Sequence, residues 1–246
     1  MRRSLLGWLP TVFLAAALAP PAVAQDALYL GWGECGAPAA TQEVFTCDSN
    51  TGDQKLYAAF SLAQPLDQVV GVEIVVDISH ADPALPAWWQ LGVGGCRMGA
   101  LSANGGTPAG TGCADFWAGL ATGGVQSYVV GQPRGGANQA RIKVALSLLP
   151  ANARTLAAGT VYYAARIVLG NQATTGTGAC AGCDGEACLV LNSIWIKRLP
   201  GAPGGDVFLT TPSITGNMAT WQGTGADCDA VPVQTSSWGR IKILYR

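Results

Sequence analysis

Three cysteines fall within the nine residues of CAGCDGEAC, at positions 180, 183 and 188, and such spacing serves two chemistries. As thiolates they would hold a tetrahedral zinc ion, and oxidised they become cross-links. A structural zinc site takes four nitrogen or sulfur ligands, and the single histidine, His80, is far off in sequence. Cys228 is the one thiol left to complete such a set. The alternative treats all eight cysteines as disulfides. Proximity pairs Cys35 with Cys47 and Cys96 with Cys113, each closing a loop worth about 3 kcal/mol in the chain-entropy model. The DGE turn then pairs Cys183 with Cys188, leaving Cys180 to join Cys228. An exported chain favours the disulfides, so no metal and no cofactor are expected.

Other reactive side chains are sparse. His80, in DISHADP, stands near Asp77 and Asp82, but no G-x-S-x-G elbow or catalytic-cysteine signature accompanies it. It reads as a solvated turn histidine, and no catalytic residue is assigned. The 15 acids show no pattern that would set two carboxylates across a sugar-binding cleft. DSNTGD offers Asp48, Asn50 and Asp53 as calcium oxygens, yet Ala59 occupies the twelfth position where an EF-hand has glutamate. That stretch reads as an Asx-rich turn, and Asp227 and Asp229 read as turn acids. Aromatics are the more suggestive feature: beyond the leader stand Trp32, Trp88, Trp89, Trp117, Trp195, Trp221 and Trp238. Trp88, Trp89 and Trp117 lie in loop-like segments, where exposed rings would stack on sugar faces. They are the candidate ligand-binding residues.

Positioning such residues requires a compartment and a scaffold. Arg2 and Arg3, the apolar run Leu5 to Ala19, and Ala22 and Ala24 before Gln25 form the pattern of a secretory signal peptide over residues 1–24. The run is shorter than the roughly 20 residues of a membrane span, so no integral anchor is expected in the mature chain. The paired arginines also allow twin-arginine export, with the same destination: outside the cell, in the periplasm or at the cell surface. Without the leader, 12 Lys and Arg face 15 Asp and Glu. Scattered and outnumbered basic residues exclude a nucleic-acid surface.

Strand patterns dominate. Val70, Val72, Ile74, Val76 and Ile78 alternate with Gly71, Glu73, Asp77 and Ser79, the period of a half-buried strand. RIKVALSLL and VYYAARIVL repeat the pattern, and LYAAFSL, ACLVLNSIWI, DVFLTT and the terminal GRIKILYR add weaker candidates. Short helical turns are expected at DPALPAWWQL and CADFWAGL. Many short strands with Gly-rich punctuation predict an all-β protein: one antiparallel β-sandwich over residues 25–246, jelly-roll or immunoglobulin-like, stabilised by disulfides.

LAAGTVY, Leu156 to Tyr162, resembles the L-x-P-G-T-x-Y corner of fibronectin-type sandwiches, with Ala158 in place of the proline. The resemblance implies a Tyr162 hydroxyl bonded back to the chain just upstream. The order VVGVEIVVDISHADPAL, AGTVYYAARIVL, ACLVLNSIWI is similar to cohesin-type modules over about half of the mature chain. The terminal SSWGRIKILYR resembles secreted bacterial proteins ending in the same pattern, which implies no activity. Together these features point to a secreted, non-catalytic binding or cell-envelope interaction module, with a polysaccharide or a surface protein as partner. A carbohydrate-active hydrolase and a structural matrix protein without a discrete ligand are the alternatives. The sequence sets no oligomeric state.

Overall fold

The computed structural model describes residues 24–36, 39–106, 112–210, 212–213 and 216–228. Most of the leader, Asp229, Trp238 and the terminal GRIKILYR therefore lie outside the described residues. The strands are β1 (Ala27–Trp32), β2 (Gln42–Glu43), β3 (Asp53–Ser61), β4 (Leu66–His80), β5 (Leu101–Asn104), β6 (Thr122–Val130), β7 (Gln139–Ser147), β8 (Arg154–Leu156), β9 (Tyr162–Gly170), β10 (Ala187–Arg198), β11 (Val207–Leu209) and β12 (Met218–Trp221). They form two sheets, neither closed into a barrel. The smaller runs β1-β3-β9-β5; the larger runs β2-β12-β10-β4-β7-β6, with β11 beside β10 and β8 beside β4. The ladders between these strands are antiparallel except the short parallel contact of β2 with β12. Of the expected helical turns, DPALPAWWQL forms a 3-10 turn at Ala87–Trp89, whereas CADFWAGL makes only bends and turns.

Alternation explains the core. Val72, Ile74, Val76 and Ile78 of β4, with Ile142, Val144 and Leu146 of β7, meet Leu28 and Leu30 of β1, Leu56 of β3 and Ile167 and Leu169 of β9 in one buried cluster. Both sheets thus bury one face against a common core, the packing of a β-sandwich. Each fully buried aliphatic side chain contributes about 1.5–3 kcal/mol. At the corner before β9, the Tyr162 hydroxyl accepts a hydrogen bond from the Ala157 N–H at 2.7 Å. The bond implied by LAAGTVY is formed.

One irregularity governs the outer face of the large sheet. In β10 the inward residues are Leu189 and Leu191, then Ile194 and Ile196, because a β-bulge at Asn192 breaks the register with β4. A bulge inserts one unpaired residue and flips every side chain after it. Trp195 is turned outward as a result.

All eight cysteines, each among the described residues, are oxidised, but none of the four expected pairings is present. The bonds are Cys35–Cys113, Cys47–Cys183, Cys96–Cys180 and Cys188–Cys228. Topology is the reason. Cys35 follows β1 of the small sheet, whereas Cys47 follows β2 of the large one, so chain neighbours are sent apart. Cys47 instead meets Cys183, where Gln222 Nε2 donates to the carbonyls of both Phe45 and Cys183. Cys188 is a strand residue of β10 and reaches Cys228 in the strap that follows β12. The closed loops, 40 to 136 residues in separation, are longer than proximity implied, and long loops carry roughly 4–5 kcal/mol each in the chain-entropy model. Four disulfides fit an oxidising, extracellular-type compartment. Among the described residues no helix is long and apolar enough to cross a membrane.

Candidate functional site

Trp88, Trp89 and Trp117 are not a surface platform: each is fully buried. Trp88 stacks on Trp221 with centroids 4.8 Å apart, and Trp89 meets both rings edge-on. Trp88 donates its indole N–H to Thr174 Oγ1 at 3.1 Å. Trp117 donates to the Ala164 carbonyl at 3.2 Å and packs on Phe116. Arg97 folds the AWW segment inward. Its guanidinium lies 3.5 Å over the Trp88 ring and donates to the carbonyls of Trp88, Gly170 and Gln172. Burial pushes its pKa down to about 10.

His80 is also buried, at the end of β4, which corrects the expectation of a solvated turn histidine. Its Nδ1 accepts the Asp82 N–H at 3.0 Å, so a neutral ring carries its hydrogen on Nε2. That edge rests on Gly185, where any Cβ would come within 2.7 Å of the imidazole. The residue has no triad geometry: Ser79 and Asp77 alternate onto the opposite face of β4. Burial lowers the imidazole pKa, while the Asp82 charge and the Gly185 backbone pull it up by less. The unfolded chain therefore protonates His80 near pH ~6.5 and the folded one only at lower pH. Stability is full above that value and falls as pH drops towards the lowered folded pKa. Melting temperatures measured from pH 7.5 to 5.5 should decline for the wild type, and His80→Gln should flatten that part of the curve.

The oxygens of DSNTGD are engaged locally or in clamping a neighbouring loop. Asp48 accepts from Thr46 Oγ1, Asn50 Oδ1 accepts the N–H groups of Thr174 and Thr175, and Asp53 pairs with Lys55. Asn50 thus holds the 171–175 loop. Among the described residues no cluster of three or more metal-ligating side chains occurs.

The surface with binding chemistry is the outer face of the large sheet. Trp195, 40 % exposed, stands edge-on to Phe208 of β11, 52 % exposed, with centroids 6.4 Å apart. Their backbones are direct cross-strand partners. Lys197 Nζ sits 3.0 Å over one face of the Trp195 ring and is held by Glu73 at 3.2 Å and Asp206 at 3.5 Å. The residue before Trp195 on the same outer face is Ser193, which is buried. Arg198 orders the adjoining loop through the carbonyls of Asp67, Pro203 and Gly205. The arrangement is an aromatic pair with pinned charges beside it.

Further along this face the polar positions of β4 are buried, contrary to the simple in–out alternation. Asp77 receives both Arg141 Nε at 2.6 Å and Nη2 at 2.7 Å, and the Asn192 amide donates to the same carboxylate. Hydrogen bonding to Asp77 raises the Arg141 pKa, so the guanidinium stays charged. Ala226 and Cys228 of the strap cover Cys188 and Val190 beside this group. Sequence reasoning missed Trp195. Its signal was the IWI triplet, in which two buried isoleucines force the middle residue to the opposite face.

No protein-family model and no curated protein matches the chain.

Proposed function

We propose that this chain is a secreted, non-catalytic binding module of the cell envelope or its surroundings, and that it engages polysaccharide through Trp195 and Phe208. The observation that carries the reading is a partly exposed indole on a strand of the large sheet, beside the exposed Phe208, with Lys197 over the ring and paired to Glu73 and Asp206. Sugars present C–H faces to such rings and hydroxyls to such polar groups. Placement on a strand holds the ring without ordering entropy at binding. The hydrolase reading draws less support, because Glu73 and Asp206 share the ammonium of Lys197 instead of facing one another across a cleft.

Trp195→Ala should weaken retention of the oxidised mature protein on cell-wall preparations and polysaccharides at least about tenfold, or ~1.4 kcal/mol. Its melting temperature should stay close to wild type, since the ring is partly exposed. Equal retention of a folded variant would remove Trp195 from the site.

A further inference from the structure

The leader pattern and the sandwich meet at one residue. Ala22 and Ala24 complete the small-residue cleavage pattern, so removal of residues 1–24 makes Gln25 the first residue of the mature chain. Among the described residues, the hydrogen bonds of the sandwich begin at that same position. The Gln25 carbonyl accepts the Ser61 hydroxyl at 2.9 Å, and Asp26 Oδ1 accepts the Ala63 N–H at 2.7 Å. Strand β1 then starts at Ala27, paired with Ser61 of β3.

A glutamine in first position carries its own reaction partner. Cleavage turns the Gln25 amide nitrogen into a free α-amine, whose ordinary pKa is about 7.7–8.0 against about 10.4 for lysine. It is therefore the amine of the chain with the largest neutral, nucleophilic fraction near pH 7. The electrophile is Cδ of the same residue, at the spacing that closes a five-membered ring. An attack within one residue is spared the entropy of bringing two molecules together.

The fold leaves this ring free to form. Gln25 and Asp26 are both exposed, so solvent surrounds the reacting side chain. What ties Gln25 to the sandwich is its carbonyl, on the far side of Cα from the amine. Ring closure does not touch that carbonyl, and the bond from Ser61 and the register of β1 are kept.

We propose that Gln25 is a modification site, converted to pyroglutamate once the leader is removed, which rests on the reading of the chain as secreted. The α-amine nitrogen bonds to Cδ, the Cδ–Nε2 bond breaks, and Nε2 leaves as ammonia with the proton that the amine gives up. No oxidant, reductant or second substrate takes part. The product replaces a charged terminus with a neutral lactam. Exposed termini are where proteolysis concentrates, and peptidases that grip a free terminal amine find none here.

The test uses the full chain, exported with its own leader, purified oxidised and read by intact mass and by amine labelling of its first peptide. The wild type should have the mass of residues 25–246 with four disulfides less one ammonia, and its terminus should take no label. Gln25→Ser, which has no side-chain amide to attack, should start at the same position and take the label in full. A wild type that starts at Gln25 with its side-chain amide intact and its amine labelled overturns the lactam and leaves the leader reading in place. A chain that starts at any other residue overturns cleavage after Ala24 and the lactam together. The polysaccharide reading is tested separately, by retention of the Trp195→Ala variant.

Discussion

Arg141→Ala should cost about 3–5 kcal/mol of stability, read as a lower urea midpoint. Asp77 is fully buried on the outer face of the large sheet, and Arg141 supplies two of its hydrogen bonds through a fork that matches the carboxylate. Removing the guanidinium strands a charge for which, among the described residues, the Asn192 amide is the remaining side-chain donor. Replacing both partners is a different experiment. Asp77→Leu with Arg141→Leu removes the charge together with its counter-charge, and a well-packed apolar pair in such a place is often neutral. The double variant should therefore be more stable than Arg141→Ala. A single substitution that costs less than about 1 kcal/mol would show that the pair is solvated in solution.

Trp88→Ala should be comparably damaging, at about 3–5 kcal/mol, and for reasons unrelated to any ligand. The ring is stacked on Trp221, bonded to Thr174 and covered by the Arg97 guanidinium. Truncation opens a cavity and takes the aromatic face from a buried cation. Trp88→Phe keeps part of that face and should lose less. Chemical denaturation of the three proteins under oxidising conditions checks the order wild type, Trp88→Phe, Trp88→Ala.

The strands with strict alternation were legible in the sequence. Val72 to Ile78 of β4 and Ile142 to Leu146 of β7 face the core as their period requires, and the Tyr162 corner follows from a seven-residue motif. Strand β6 was not legible, since Gly123 and Gly124 and a bulge interrupt any period. Disulfide pairing was illegible for a topological reason: Cys35 and Cys47 are close in the chain but flank different sheets. The fate of the tryptophans depended on tertiary contacts. Nothing local says that AWW folds inward, because the decisive partners, Arg97, Thr174 and Trp221, come from three other segments. Trp195 turned on the bulge at Asn192. Alternation carried forward from Leu189 and Leu191 would have put it in the core.

The decisive test concerns which tryptophan meets the ligand. Native affinity electrophoresis through gels cast with each of a series of polysaccharides would compare the wild type with Trp195→Ala and Trp88→Phe. At least one polysaccharide should retard the wild type and Trp88→Phe alike, while Trp195→Ala migrates as if no ligand were present. Equal retardation of Trp195→Ala, or no retardation of the wild type in any gel, would contradict a polysaccharide site at Trp195.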